Sequence, residues 1–307
     1  MNEKIIITTS SFGKYDRLPL DRLEENNIEY TLNPYGRQLT EKEVISLGEN
    51  VTGIIAGTET LSDYVLSNLT RLKVISRCGV GTDNINIEAA EKRGIRVYNV
   101  PSGPTVAVAE LTVGLILCLL RKTNQMDSEL RSGIWKKRMG NLLSGKKIGI
   151  IGLGRIGRKV AELLEPFGVE IGYHDVIVAS RKLPWRAYDL HALLAWADIT
   201  TIHLSPSNQA APVIGDQEIQ LMNQGSWLVN VARGGVVDEQ ALYAALKSGH
   251  LAGAALDVFK QEPYNGSLKS LENVILTPHI GSYAREARVE MELQAVKNVL
   301  EGMGKSV

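Results

Sequence analysis

One short glycine pattern limits the folds open to this chain. Gly152-Leu153-Gly154-Arg155-Ile156-Gly157 directly follows the apolar run Ile148-Gly149-Ile150-Ile151. It opens the helical stretch Arg158-Lys159-Val160-Ala161-Glu162-Leu163-Leu164. A lone G-x-G-x-x-G is weak, but between a strand and a helix it marks a turn at which backbone can meet phosphate. Gly152 allows the tight turn, Gly154 lets the backbone approach a pyrophosphate, and Gly157 lets helix and strand pack closely. The pyrophosphate then lies on the positive end of the helix dipole. Arg155 and Ile156, inside the same pattern, complete the expected cofactor loop. The next strand ends at Asp175, 18 residues after Gly157. A carboxylate there can accept hydrogen bonds from an adenosine ribose and repels a 2′-phosphate, so NAD is favoured over NADP. Arg181 and Lys182, nearby in sequence, weigh against that preference.

Around the glycine pattern the chain alternates short β-branched runs with helical segments, which implies parallel sheets covered on both faces. The first hundred residues predict strands at 4–9, 28–32, 53–56, 73–77 and 96–100, with helices near 17–26, 41–47, 62–69 and 87–93. Pro101-Ser102-Gly103-Pro104 breaks the pattern as a boundary should. A helix over 105–121 follows, apolar on nearly every face, so something must cover it. A second set predicts strands at 147–151, 170–173, 199–204, 226–230, 251–256 and 274–276, six in all, as in a doubly wound dinucleotide domain. A last helix, 283–301, lacks a strand partner and is expected to pack back on the first domain. The expectation is an α/β chain of two Rossmann-like domains. One is a discontinuous, flavodoxin-like substrate-binding domain, 1–100 plus 283–307; the other is a doubly wound NAD-binding domain, 101–282. A length of 307 residues suits two domains.

Composition excludes several classes. Lys plus Arg and Asp plus Glu each number 34, so no net field favours nucleic acid or an anionic membrane. The longest apolar stretch, 106–120, is interrupted by Glu110 and Thr112 and falls short of the roughly 18 residues of a membrane span. Two cysteines, Cys78 and Cys118, suggest no disulfide framework and fit a reducing cytoplasm. The N-terminus, with no signal-peptide layout, reads as a first strand. No metal site is expected.

Three later residues supply the chemistry. Arg233 lies in Asn230-Val231-Ala232-Arg233-Gly234-Gly235, Glu262 in Asp257-Val258-Phe259-Lys260-Gln261-Glu262-Pro263, and His279 in Thr277-Pro278-His279-Ile280-Gly281. Singly, each has a structural alternative: a solvated arginine, a surface acid, a satisfied core histidine. Their position argues otherwise. Arg233 and His279 both follow predicted strands, beyond the carboxyl ends where open α/β sheets bind ligands, and Glu262 lies in the loop after another. A guanidinium can clamp a carboxylate, an imidazole can move a hydroxyl proton, and a carboxylate can orient and charge the imidazole.

These loops, the glycine pattern and the segment Cys78-Gly79-Val80-Gly81-Thr82-Asp83-Asn84-Ile85 together resemble the D-isomer-specific 2-hydroxyacid dehydrogenase family, over essentially the whole chain. The resemblance implies an active site in the cleft of a two-domain fold, and a homodimer built around the 105–121 helix. It implies that the amides of Val80 and Gly81 hold the substrate carboxylate. Arg233 would hold the carboxylate and the C2 oxygen, and His279, oriented by Glu262, would exchange the hydroxyl proton. It places Asp257 at the nicotinamide carboxamide, and Thr105, Glu110, His203, Pro206, Ala232 and Gly281 along the cofactor.

Within the family, the segment 73–85 is most similar to D-3-phosphoglycerate dehydrogenases of serine biosynthesis. The chain stops at Val307 without the regulatory domain some of these carry, so feedback inhibition through such a domain is not expected. One departure counts against phosphate. Several phosphoglycerate enzymes place an arginine after the strand equivalent to 53–56, where this chain has Gly57-Thr58-Glu59-Thr60. Glu59 would repel a phosphate if it faced the cleft, with Arg77 or Arg285 as substitutes for the missing charge. Glyoxylate, hydroxypyruvate or another small 2-oxo acid is the alternative substrate. An NAD-sensing protein resembling a corepressor is the alternative of another class, against which no recognition segment stands outside the two alternating sets.

Overall fold

The computed structural model describes residues 3–176, 183–204 and 212–305. The chain divides into two compact units, Met1–Pro104 with Ser282–Val307, and Thr105–Gly281. The first is built on β1 (Lys4–Ile7), α1 (Leu18–Glu25), β2 (Glu29–Leu32), α2 (Glu41–Leu47), β3 (Gly53–Ala56), α3 (Asp63–Asn68), β4 (Val74–Arg77), α4 (Ile87–Lys92) and β5 (Arg96–Tyr98). Its strands are all parallel, in the order β2-β1-β3-β4-β5, which is the flavodoxin-like arrangement.

Alternation along the strands sends side chains to two cores. Ile6, Ile54 and Ile75 pack under α2, α3 and α4, whereas Ile5, Ile7, Ile55 and Val74 face the other way. That second face is covered by α1 and by Met291, Ala295, Val296, Val299 and Leu300 of the C-terminal helix Arg285–Gly302. Burying one such Ile contributes about 1.5–3 kcal/mol, so the returning helix is part of what makes the unit stable. α2, α3 and α4 each start on a side chain that accepts a backbone N–H: Thr40 (in a capping box with Glu43), Ser62 and Asn86.

The second unit contains α5 (Thr105–Arg121), α6 (Thr123–Arg131), β6 (Lys147–Ile151), α7 (Arg155–Leu164), β7 (Glu170–His174), β8 (Arg186–Ala187), α8 (Leu190–Trp196) and β9 (Ile199–Ile202). It continues through α9 (Asp216–Leu221), β10 (Ser226–Asn230), α10 (Glu239–Ser248), β11 (Leu251–Leu256) and β12 (Val274–Leu276). The sheet order is β12-β11-β10-β9-β6-β7-β8, a doubly wound sheet whose order reverses between β6 and β9. α5 covers one face together with α7. Its Ala109, Leu115, Ile116 and Leu120 meet Ile148, Ile150, Val229 and Ala255, which accounts for its many apolar faces.

Two features escaped the pattern reading. The sheet has seven strands among the described residues rather than six, because two-residue β8 pairs with β7 at the edge; a strand this short has no periodicity to detect. α6 is polar, with no buried residue, so it carries no apolar stripe. Three strands also end early, β1 at Ile7, β5 at Tyr98 and β9 at Ile202; the first and last release Thr8, Thr9 and His203 into the loops at the carboxyl ends.

Candidate active site

The glycine loop adopts the geometry its sequence requires. Gly152 has φ +90°, and a side chain there would come within 2.8 Å of the His203 carbonyl. A Cβ on Gly157 would lie 2.1 Å from the Gly152 carbonyl oxygen. At Gly154, the N-cap of α7, a Cβ would meet nothing within 4 Å. Arg155 and Ile156 are the first residues of that helix, so their amides are among its unpaired N–H groups. This is open space at a helix N-terminus, a cradle suited to a pyrophosphate. Asp175 stands at the end of β7 with its Oδ2 accepting from the Leu153 amide, 2.7 Å away, so its carboxylate lies beside the glycine loop.

His203 follows β9. It is 8% exposed, its Nε2 lies 2.9 Å from Thr201 Oγ1, and burial pushes its pKa down to about 3. Its Nδ1 and the Thr105 Oγ1 are buried and without a hydrogen-bond partner among the described residues. Such orphan polar atoms are costly unless a ligand meets them, which fits a cofactor along this edge. Pro206, Arg181 and Lys182 lie outside the described residues. Glu110 is exposed on α5.

The reacting groups come from three loops at the carboxyl ends of β10, β11 and β12. The first is turned by Asn230, 1% exposed, whose Oδ1 accepts from the Ala232 amide and whose Nδ2 donates to the Arg233 carbonyl. Gly234 has no room for a side chain: a Cβ would lie 1.9 Å from the Phe259 carbonyl oxygen. That close approach seats the Arg233 loop against the loop carrying Glu262. Glu262 Oε1 accepts from the Phe259 amide, and Oε2 meets His279 Nδ1 at 2.8 Å. Burial raises the Glu262 pKa. The bond to His279, the charges of His279 and Arg233, and the Phe259 amide together outweigh it, leaving the carboxyl below its usual value of 4.5. Arg233, Glu262 and His279 thus form one electrostatic set, with the Glu262 and His279 side chains still 37% and 41% exposed.

Asp257 holds the His279 loop from beneath. It is 1% exposed; Oδ1 accepts from Thr277 Oγ1 (2.6 Å) and the Ile280 amide (2.8 Å), and Oδ2 from the Gly281 amide (2.7 Å). His279 itself has φ +54°, a left-handed conformation rare outside glycine and asparagine. A strained residue persists where its surroundings over-determine it, and Asp257 bonds the two residues that follow it. Sequence reasoning quoted Asn230 and Thr277 without giving them this work. A polar residue ending a predicted strand, immediately before Val231-Ala232-Arg233-Gly234-Gly235, is the signal available for Asn230.

In the first unit, Val80 is 37% exposed and Gly81 buried, on the loop after β4. The Gly79 carbonyl accepts from the Val100 amide and the Val80 carbonyl from Asn99 Nδ2. The Cys78 and Gly79 amides donate to the Ala56 and Arg77 carbonyls, and among the described residues no backbone bond engages the Val80 or Gly81 amide. Glu59 does not project as a free charge: it is 1% exposed and bonded to Thr8. The condition attached to it in the sequence, a carboxylate presented to a ligand, is therefore not what this burial describes.

Comparison with known proteins agrees with this geometry. The family model for the NAD-binding domain of D-isomer-specific 2-hydroxyacid dehydrogenases matches residues 113–281. The chain is 40% identical to D-3-phosphoglycerate dehydrogenase of Sus scrofa over 260 residues, 82% of this chain and 49% of that protein. It is also 40% identical to glyoxylate reductase of Thermococcus litoralis, covering 79% of this chain and 77% of that one. The chain spans about half the length of the phosphoglycerate dehydrogenases it matches. Among solved structures, a protein of Thermus thermophilus superposes with a TM-score of 0.91 at 34% identity, covering 99% of this chain and 98% of its own. With the glycine cradle, the Arg233–Glu262–His279 set and these likenesses in agreement, the chain belongs to the D-isomer-specific 2-hydroxyacid dehydrogenase family.

Proposed function

We propose that this protein is an NAD-dependent oxidoreductase that interconverts a 2-oxo acid and the corresponding D-2-hydroxy acid. The observation that carries this reading is the 2.8 Å bond between Glu262 and His279, with the Arg233 charge acting on the same carboxylate. A carboxylate on Nδ1 fixes the ring and leaves Nε2 as the nitrogen that exchanges a proton. In reduction, His279 gives its proton to the C2 oxygen; in oxidation it takes the hydroxyl proton. Arg233 holds the substrate carboxylate and the C2 oxygen, a task suited to the guanidinium fork. The Val80 and Gly81 amides hold the same carboxylate.

Gly152, Gly154, Arg155, Ile156 and Gly157 cradle the cofactor's pyrophosphate, and Asp175 selects NAD by accepting from the ribose hydroxyls. Thr105, His203, Ala232, Asp257 and Gly281 line the remainder. When bound, the nicotinamide accepts or supplies the hydride.

The preferred substrate pair is D-3-phosphoglycerate and 3-phosphohydroxypyruvate, which would place the enzyme in serine biosynthesis. Glu59 is 1% exposed and so presents no open carboxylate to a phosphate. Glyoxylate or hydroxypyruvate is the second reading, favoured by the 77% coverage of the Thermococcus reductase. NADH consumption against 3-phosphohydroxypyruvate, hydroxypyruvate, glyoxylate, pyruvate and 2-oxoglutarate decides between them. A phosphorylated substrate that fails to lead in kcat/KM gives the second reading, and silence across the panel with tight NADH binding overturns both.

The working form is a homodimer through the α5 region. The segment that follows exposes Trp135 by 82%, Met139 by 88% and Leu142 by 73%, a cluster of apolar side chains of the kind that marks protein–protein surfaces. Light scattering of the wild type and of Trp135→Asp tests this: dimer for the first, monomer for the second. No described helix is long and apolar enough to cross a membrane, and a cytoplasmic location belongs to the same reading.

A further inference from the structure

Unit 1 contains a buried acid that the proposed chemistry does not use. Glu59 lies in the loop after β3 and is 1% exposed. Its Oε1 accepts from the Gly57 amide at 3.0 Å and from the Thr8 hydroxyl, and Thr8 in turn accepts from the same amide at 3.0 Å. One carboxyl therefore ties the end of β1 to the turn after β3, at the point where the flavodoxin-like sheet order reverses.

The tie extends to the neighbouring loop. Arg77 ends β4 opposite Ala56 of β3, and its charge acts on Glu59. Its Nη1 donates to the Cys78 carbonyl at 2.6 Å, and the guanidinium lies so close under Gly79 that a Cβ there would be 2.5 Å from Nη1. Asn84 closes the ring from the far end of the same loop, its Nδ2 donating to the Gly57 and Glu59 carbonyls at 3.2 and 2.6 Å. The Leu61 amide donates to the Asn84 carbonyl. The loop that carries Val80 and Gly81 is thus shaped from inside by the loop that carries Glu59.

We propose that Glu59 is a positioning residue: by fixing Thr8 and Gly57, whose carbonyl in turn holds Asn84 at the far end of the neighbouring loop, it sets the direction of the Val80 and Gly81 amides that receive the substrate carboxylate. This rests on the proposed function only for the identity of the ligand. A buried carboxyl with several donors is rigid, because any displacement leaves those donors unmet. Removal of the carboxyl loosens a binding loop without touching Arg233, Glu262 or His279, so its effect falls on substrate KM.

The test compares Glu59→Leu, Glu59→Gln and Glu59→Asp in the full chain, with amide hydrogen exchange across 78–82 and steady-state kinetics on the best 2-oxo acid. Leu should raise KM about tenfold while kcat and NADH affinity stay within about twofold, the pattern of lost ground-state binding. Gln, which keeps the accepting oxygen, should restore most of KM. Exchange at 79–81 should quicken in Leu and much less in Gln. If Leu does not fold, Asp carries the test, with KM raised about threefold by its shorter reach. Unchanged KM and unchanged exchange in the altered proteins overturn the inference. A fall in kcat with KM unmoved also overturns it, since that is loss of active protein. An unaltered protein that turns over none of the acids overturns the functional reading, and with it the substrate task of Glu59. Unchanged exchange in an active enzyme overturns the inference alone.

Discussion

The two units carry out the same structural task in opposite ways. Both are parallel sheets whose working loops leave the carboxyl ends of strands. In the first unit those loops are tied down by buried acids. Glu59 holds the turns after β1 and β3, and Glu292, 1% exposed, accepts from the Gly13 amide and from Arg288. In the second unit the buried acid, Asp257, holds the backbone of the His279 loop, while a second acid, Glu262, remains more than a third exposed and faces the imidazole. Burial raises the pKa of Glu59, Glu292 and Asp257; only Glu262, of these four, ends below its usual value. Carboxyls that are wholly buried hold backbone amides in place, and the one that stays more than a third exposed faces a titrating imidazole as well as an amide.

Removal of the imidazole should have the largest effect. His279→Ala should lower kcat at least about 10²-fold with NAD affinity kept, in the range of general acid–base catalysis; near-normal turnover would remove His279 from the mechanism. Next, Arg233→Lys should reduce kcat/KM about tenfold or more, because an ammonium cannot reproduce the planar fork. An unchanged kcat/KM would mean that Arg233 is not the clamp.

The contrast between the acids can be broken directly. Glu262→Gln should cut kcat about tenfold with little change in melting temperature. Asp257→Asn should cost on the order of 1–3 kcal/mol of stability by disturbing bonds to buried amides. If Asn at 257 melts normally while Gln at 262 unfolds the protein, the division of labour is reversed.

Smaller effects follow from protons. His203 has a pKa of about 3 in the fold against 6.5 ordinarily, so the unfolded chain binds its proton first. Above pH 6.5 the ring is neutral in both states, so its titration adds no pH dependence there. Stability should then fall as the pH drops toward 3, by up to about 1.4 kcal/mol per pH unit. Thermal melts between pH 7 and 4.5 should show a flatter slope for His203→Gln than for the wild type; equal slopes would mean that another group controls acid stability. Glu262 gives the smallest term. Its folded pKa lies below 4.5, so its contribution is present above that pH and is lost as the pH falls through the lower value. Solvent at this exposed pair screens most of it. Glu262→Gln should melt slightly below the wild type above pH 4.5, and the difference should vanish as the pH falls through the lower folded value.

Much of the architecture was legible because it is periodic. β3, β6, β10, β11, β12, α2 and α5 lie at the residues their patterns predict, since three to seventeen residues of one period, bounded by turn residues, outweigh local noise. β8 and α6 were not legible, one being two residues long and the other having no buried face. The candidate site was legible as residue types in loops after strands. Its supports were not: Asn230, Thr277 and Thr8 are ordinary polar residues in sequence, and only the fold gives them partners.

Sequence alone determined where the chain must turn without side chains. Gly152, Gly157 and Gly234 cannot carry a Cβ in their places, and glycine is the residue that permits such approaches. It also determined which chemical groups stand near strand ends. Tertiary structure decided which groups meet. Glu262 and His279 are 17 residues apart along the chain and 2.8 Å apart in space, and Thr8 and Glu59 join across 51 residues. Such pairings depend on strand order and on how far each strand runs before it releases a residue, neither of which is written in local periodicity. Glu59 shows the limit: sequence leaves open which way an acid in a polar loop faces, and only the tertiary structure turns this side chain inward, onto Thr8 and the Gly57 amide.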